Sequence, residues 1–119
     1  MELKFVAATR PAKANASVTR RQKLVRRIDQ QIGYVRQMID GETPRAAWAW
    51  MGETGSYYVP LKYGRQPIEL KKGMLAVECP DLDHAEAAFC TLRAMVMTGV
   101  FDAQLEKAAA TIRERLTKK

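Results

Sequence analysis

At 119 residues and 13.4 kDa, with 47% apolar and 28% charged side chains, the chain is long enough to bury a core without staples, and its composition excludes a disordered polymer. Twenty basic against thirteen acidic residues give a formal charge of +7, which favours anionic partners in general and names none of them. No run approaches the length that spans a bilayer, and the start MELKFVAATRPAK lacks the basic head and long apolar centre of a signal peptide, so a soluble cytoplasmic protein with no membrane partner is expected.

The charge is uneven along the chain. Residues 1–40 hold nine basic and three acidic side chains, residues 41–80 five and four, and residues 81–119 six and six. Residues 1–16 read as an N-terminal arm or short strand, LKFVAA, followed at Pro11 by a small, polar, basic linker bearing Arg10 and Lys13. Residues 17–119 read as a single α+β domain.

Ser17 as N-cap and Gly41 just past the end bracket a predicted helix of about 23 residues. Leu24, Ile28, Ile32, Val35 and Ile39 recur at helical spacing and share one stripe, with Val25 at its edge. Arg20, Lys23, Arg26, Arg27, Gln30 and Tyr34 fall on the opposite arc, and Arg21 lies close by in sequence. Gly33 in mid-helix costs about 1 kcal/mol against alanine.

The period then changes. Extended runs separated by GETG, Gly64 with Arg65, and Lys72 with Gly73 have the pattern of consecutive hairpins. A four-residue GETG loop sets Trp50 opposite Tyr57 and Trp48 opposite Val59. A two-residue turn at Gly64 and Arg65 sets Leu61 opposite Ile68, and one at Lys72 and Gly73 sets Leu70 opposite Leu75. All three registers place Trp48, Trp50, Tyr57, Val59, Leu61, Tyr63, Ile68, Leu70, Leu75 and Val77 on one side of a four-stranded antiparallel meander, although a bulge would shift the last strand. Tyr58, Lys62 and Lys71 lie on the other side.

After Pro80 the helical period returns. Asp83 with Glu86 reads as a capping box, Ala88, Phe89, Leu92, Met95 and Val96 as the apolar face, and Gly99 as the stop. Asp102 reads as the cap of a last helix with a stripe of Leu105, Ala109, Ile112 and Leu116, ending in Lys118 and Lys119. The expected fold is therefore α+β: a long N-terminal helix, a four-stranded antiparallel meander, and two C-terminal helices packed on one sheet face.

The segments LKFVAATRPAK, RRQKLVRRIDQQI, LKYGRQPIELKKGMLAVE and GVFDAQLEKAAATIRERL resemble, in that order, an uncharacterised family of small basic proteobacterial proteins. The chain departs from that family in the GETGSYY loop and around residues 43–46, where the family is more basic and richer in tryptophan. The resemblance carries over no functional residue. It implies a genomic setting, a protein of prophage or mobile-element DNA in a bacterial host.

The arc of cations on the first helix is the one feature with a functional direction. Arginines and lysines on one face neutralise phosphates and release counterions, so Arg10, Lys13, Arg20, Arg21, Lys23, Arg26 and Arg27 are the candidate nucleic-acid contacts. Tyr34 is the nearby stacking candidate, and Tyr58 and Lys62 are further exposed contacts. The competing reading is the solvated face of an amphipathic helix. Trp48, Trp50, Tyr57 and Tyr63 admit two readings, a stacking platform for single strands or core, and core is preferred because they share their face with aliphatic residues.

His84 stands alone among Asp81, Asp83 and Glu86 and reads as structural, so no metal is expected. Cys79 and Cys90 match neither a metal knuckle nor a redox pair and read as reduced thiols. The glycines fall in hairpin turns instead of a strand-to-helix phosphate loop, so neither a cofactor nor catalysis is expected. Three functional readings follow: a non-enzymatic nucleic-acid-binding accessory protein of a phage or mobile element, an inhibitor or adaptor that blocks a host protein, and a homodimer completed by the helix stripe.

Overall fold

The computed structural model describes residues 2–5, 7 and 16–117. Among these, three α-helices and four strands follow one another as α1 (Ala16–Ile39), β1 (Trp50–Met51), β2 (Tyr57–Tyr63), β3 (Gln66–Ile68), β4 (Ala76–Cys79), α2 (Leu82–Thr98) and α3 (Asp102–Thr117). The α+β class, the antiparallel four-stranded sheet and the helices packed on it are those expected. Leu3 and Phe5 are exposed and belong to no strand, so the described part of the arm does not form the expected short strand. Arg10, Lys13, the linker and the two terminal lysines lie outside the described residues.

Helix α1 buries Leu24, Ile28, Ile32 and Val35, four of the five stripe residues, while Ile39 at its end is exposed. It begins at Ala16, so Ser17 lies inside the helix instead of capping it. Its C-terminus closes through Gly41 N–H to Met38 O (3.0 Å) and Glu42 N–H to Gln37 O (2.9 Å), the paired bonds that satisfy the last carbonyls of a helix. One polar residue joins the stripe: Gln31 is only 3% exposed. Its Nε2 donates to Ala46 O (3.0 Å) and its Oε1 accepts from Trp48 N–H (2.7 Å), which straps the chain between α1 and β1 to the helix. Periodicity alone assigned Gln31 no role, because its two partners are loop backbone.

The sheet is organised around β2, and this changes the expected meander. Tyr57 and Tyr58 pair with β1 and with β4 at once, so those two strands flank β2 on opposite edges. The turn at Gly64 and Arg65 holds the expected register, Leu61 opposite Ile68. The turn at Lys72 and Gly73 also forms, seen in the bridge between Lys71 and Met74, but it closes only a local excursion. Beyond it β4 leaves β3 and pairs with β2, Val77 opposite Val59, continuing the ladder where β3 stops. Leu75, expected in the core, sits on that excursion and is 50% exposed.

The first hairpin is slipped by one residue. Met51 lies opposite Tyr57 and Trp50 opposite Tyr58, because Gly52 N–H bonds Ser56 O (2.7 Å) and the loop takes in Ser56. A one-residue slip turns every side chain over. Trp50 therefore faces away from the helices, 49% exposed and stacked on Tyr58 at 5.4 Å, and Ala49 takes the buried place. Trp50 is not core. Trp48, Tyr57, Tyr63, Leu70 and Val77 pack, half-buried, around Val59, Leu61 and Ile68.

Helix α2 presents Ala85, Phe89, Leu92 and Val96 to α1, β2 and β4, while Met95 is exposed. Its N-cap is Asp81 instead of Asp83: the Asp81 carboxylate accepts from His84 N–H (2.8 Å). Gly99 stops the helix at φ +90°, as expected. Helix α3 packs on β3, β2 and α1 through Leu105 and Ala108.

Candidate nucleic-acid interface

Lys23, Arg26, Arg27 and Gln30 project from consecutive turns of α1 and are all exposed. Because α1 crosses the sheet at β2, the end of that strand and its turn into β3 rise beside them, bringing Lys62, Tyr63, Gly64 and Arg65 within reach. Between the two elements runs a groove of 540 Å³ lined by Lys23, Arg26, Arg27, Gln30, Lys62, Tyr63, Gly64 and Ile112. A second hollow of 320 Å³ shares Arg27, Gln30 and Gly64 with it and adds Gln31, Ala46, Trp48 and Arg65. The two hollows adjoin at Arg27, Gln30 and Gly64, and cations of both α1 and the β2–β3 hairpin line them. Gly64 is required where they adjoin: φ is +61°, and a Cβ there would stand 3.0 Å from Ile112 Cδ1 of α3.

No carboxylate among the described residues lines either hollow. Among the described residues, Lys23, Arg26, Arg27, Lys62 and Arg65 take part in no ion pair, and Arg27 bonds only the Gln30 amide, at 3.4 Å. Other cations are held by the protein's own acids. Arg36 Nε meets Glu86 at 2.6 Å and Arg93 Nε meets Asp29 at 2.8 Å.

The expected contact residues thus divide. Lys23, Arg26, Arg27 and Lys62 line the groove; Lys62, expected beside Tyr58 on the far sheet side, lines it from the end of β2 next to Tyr63 and Gly64. Arg21 does not: its guanidinium forms a two-point pair with Asp102 at the start of α3, Nε to Oδ1 at 2.8 Å. Arg20 is half-buried, and its charge also acts on Asp102. Tyr34 is half-buried and lines neither hollow. Tyr58 lies on the opposite sheet face, where its hydroxyl donates to Glu78 Oε2 at 3.1 Å; that bond holds the phenol above its ordinary pKa. Arg65 lines the smaller hollow without having been singled out as a contact, and Tyr63 and Trp48, read as core in preference to a stacking platform, line the larger and the smaller hollow. Only docking of the helix against the strand end brings them there.

The Arg21–Asp102 pair has a testable consequence. The side-chain hydrogen bond from Arg21 keeps the Asp102 carboxyl below its ordinary range, and at Asp81 the His84 backbone N–H acts in the same direction. A depressed carboxylate contributes stability above the unfolded-state pKa of about 3.9 and loses it as pH falls through the lower folded value. Melting temperature should therefore drop between about pH 5 and about pH 2, and Asp102→Asn should be less stable than the parent at neutral pH and show a shallower drop. An identical acid profile for parent and variant would mean the pair contributes nothing. Gly99 packs against this pair, since a Cβ there would lie 2.7 Å from Arg21 Nη2.

Elsewhere the chemistry is quiet. His84 Nδ1 sits 2.7 Å from the same Asp81 oxygen that caps α2. Cys79 is buried and its thiol is pushed up by that burial, while Cys90 is exposed. Among the described residues no group of three or more His, Cys, Asp or Glu could hold a metal ion, and no helix is long and apolar enough to cross a membrane. Compared with protein families, curated proteins and solved structures, the chain matches no family, no curated protein and no solved structure.

Proposed function

We propose that the protein is a non-enzymatic nucleic-acid-binding accessory protein that grips phosphates in the groove between α1 and the β2–β3 turn. One observation carries the reading: five cations from two separate elements line two adjoining hollows in which, among the described residues, there is no carboxylate. Like charges gathered without counter-charge raise the energy of the free protein, and a polyanion relieves it while releasing its own condensed counterions. The phage or mobile-element setting is part of the proposal and comes from the family resemblance alone.

Anisotropy of labelled DNA and RNA, titrated with the full chain at about 50 and about 200 mM salt, tests it. With all five cations engaged, log affinity should fall against log salt with a slope of about −3.5 on a single strand. Absence of binding at the lower salt, or an affinity indifferent to salt, overturns the proposal.

A second reading, an inhibitor or adaptor on a host protein, draws on one feature. A 310 Å³ notch lined by Val18, Val25 and Met97 is flanked by Arg26, with Arg21 beside it already paired to Asp102, a combination suited to an acidic protein surface with an apolar anchor. Silence of the protein towards both nucleic acids would leave this reading in place.

A further inference from the structure

We infer that the groove takes a single strand of DNA or RNA, with its phosphates between the two basic walls and its bases laid against Trp48 and Tyr63. The inference rests on the nucleic-acid reading above and specifies its ligand.

Shape is the first argument. A duplex is a stiff convex rod, and proteins read it by inserting a protruding helix or ribbon into its grooves. Here the cations do not ride on a ridge. They face one another across a hollow of 540 Å³ that continues into one of 320 Å³. A concavity with positive walls tracks a flexible backbone, and a rigid duplex touches only its rim.

The second argument is the floor. Tyr63 lines the larger hollow and Trp48 the smaller, and each is half-buried against the core. Aromatic faces interleaved with cations are the means by which proteins hold unpaired bases without reading their sequence. Trp48 is also fixed in advance. Its backbone N–H is held at 2.7 Å by the buried Gln31, which lowers the ordering cost of binding. Gln31 is in this sense a positioning residue.

The exposed stack of Trp50 on Tyr58 is the obvious rival platform, and electrostatics argue against it. It lies on the opposite sheet face, and the Tyr58 hydroxyl is bound to the Glu78 carboxylate, which repels a phosphate backbone. The groove aromatics have no acid among their described lining neighbours.

The test uses the full chain carrying Trp50→Phe, which leaves Trp48 as its single tryptophan. It is titrated with oligothymidylate and oligouridylate of about ten nucleotides, and with a duplex of equal phosphate number. Trp48 fluorescence should be quenched by the single strands, which should bind about tenfold or more tightly than the duplex. Trp48→Leu should weaken single-strand binding about tenfold and leave the salt slope unchanged, because stacking releases no counterions. Equal or tighter duplex binding, or salt-dependent single-strand binding with unquenched Trp48, overturns the single-strand inference and leaves the phosphate reading standing. Failure of both nucleic acids to bind at low salt overturns both together.

Discussion

Reversing three groove cations at once, Lys23→Glu with Arg26→Glu and Lys62→Glu, is expected to weaken nucleic-acid binding about 100-fold or more and to flatten the salt dependence by about three phosphate contacts' worth. On the proposed reading each reversal removes a phosphate contact and plants a repulsive charge in a groove whose described lining has no acid. Folding should survive, because Lys23 and Arg26 are exposed, Lys62 is only half-buried, and none of the three is ion-paired among the described residues. The matching control is Lys71→Glu with Lys72→Glu and Lys107→Glu, all exposed and all outside the groove. Both triples change the formal net charge equally. If the control loses as much affinity as the groove triple, binding reflects overall charge and the groove is not the site.

Phe89→Ala should destabilise the fold by about 3–5 kcal/mol, the usual cost of truncating a buried aromatic where neighbours only partly collapse. Phe89 is 0% exposed, belongs to α2, and sits in the cluster that joins that helix to α1 and the sheet. Against a total stability of about 5–15 kcal/mol this is a large share, and thermal denaturation should show a fall of about 10–20 °C. Met97→Ala, on the exposed side of the same helix, should change stability by only about 0.5 kcal/mol. Nearly equal melting temperatures for the two variants would mean that α2 does not seat on the core as described. The Phe89 effect also bears on the site, since the helix layer that α2 supports carries the basic wall.

What was legible in the chain, and what was not, follows the range of the interactions concerned. The stripe Leu24, Ile28, Ile32 and Val35 was readable because helical burial repeats locally, and the Leu61–Ile68 register because a two-residue turn leaves one alignment. The GETG hairpin was misread by one residue, since whether Ser56 belongs to loop or strand turns on a backbone bond from Gly52 that leaves no trace in hydrophobic pattern. That slip moved Trp50 from the expected core to the outer face. Strand β4 behaved similarly. Its turn formed as expected, yet its partner became β2, a choice between two antiparallel neighbours that alternation alone does not distinguish.

By itself, the sequence determined the α+β class, the three helices, the buried stripe of α1 and most of that of α2, and the concentration of positive charge in the first third. Those properties depend on side-chain periodicity and composition, which act over a few residues. In α3, by contrast, only Leu105 of the expected stripe is buried among the described residues, and Ala108 replaces Ala109. Tertiary structure alone decided which cations matter. It sent Arg21 to Asp102, across 81 positions of chain, and brought Lys62 and Arg65 up to Lys23, Arg26 and Arg27. Charge acts through space, so whether an arginine meets a carboxylate or an open groove is set by how helix and sheet pack, and no local pattern encodes that distance.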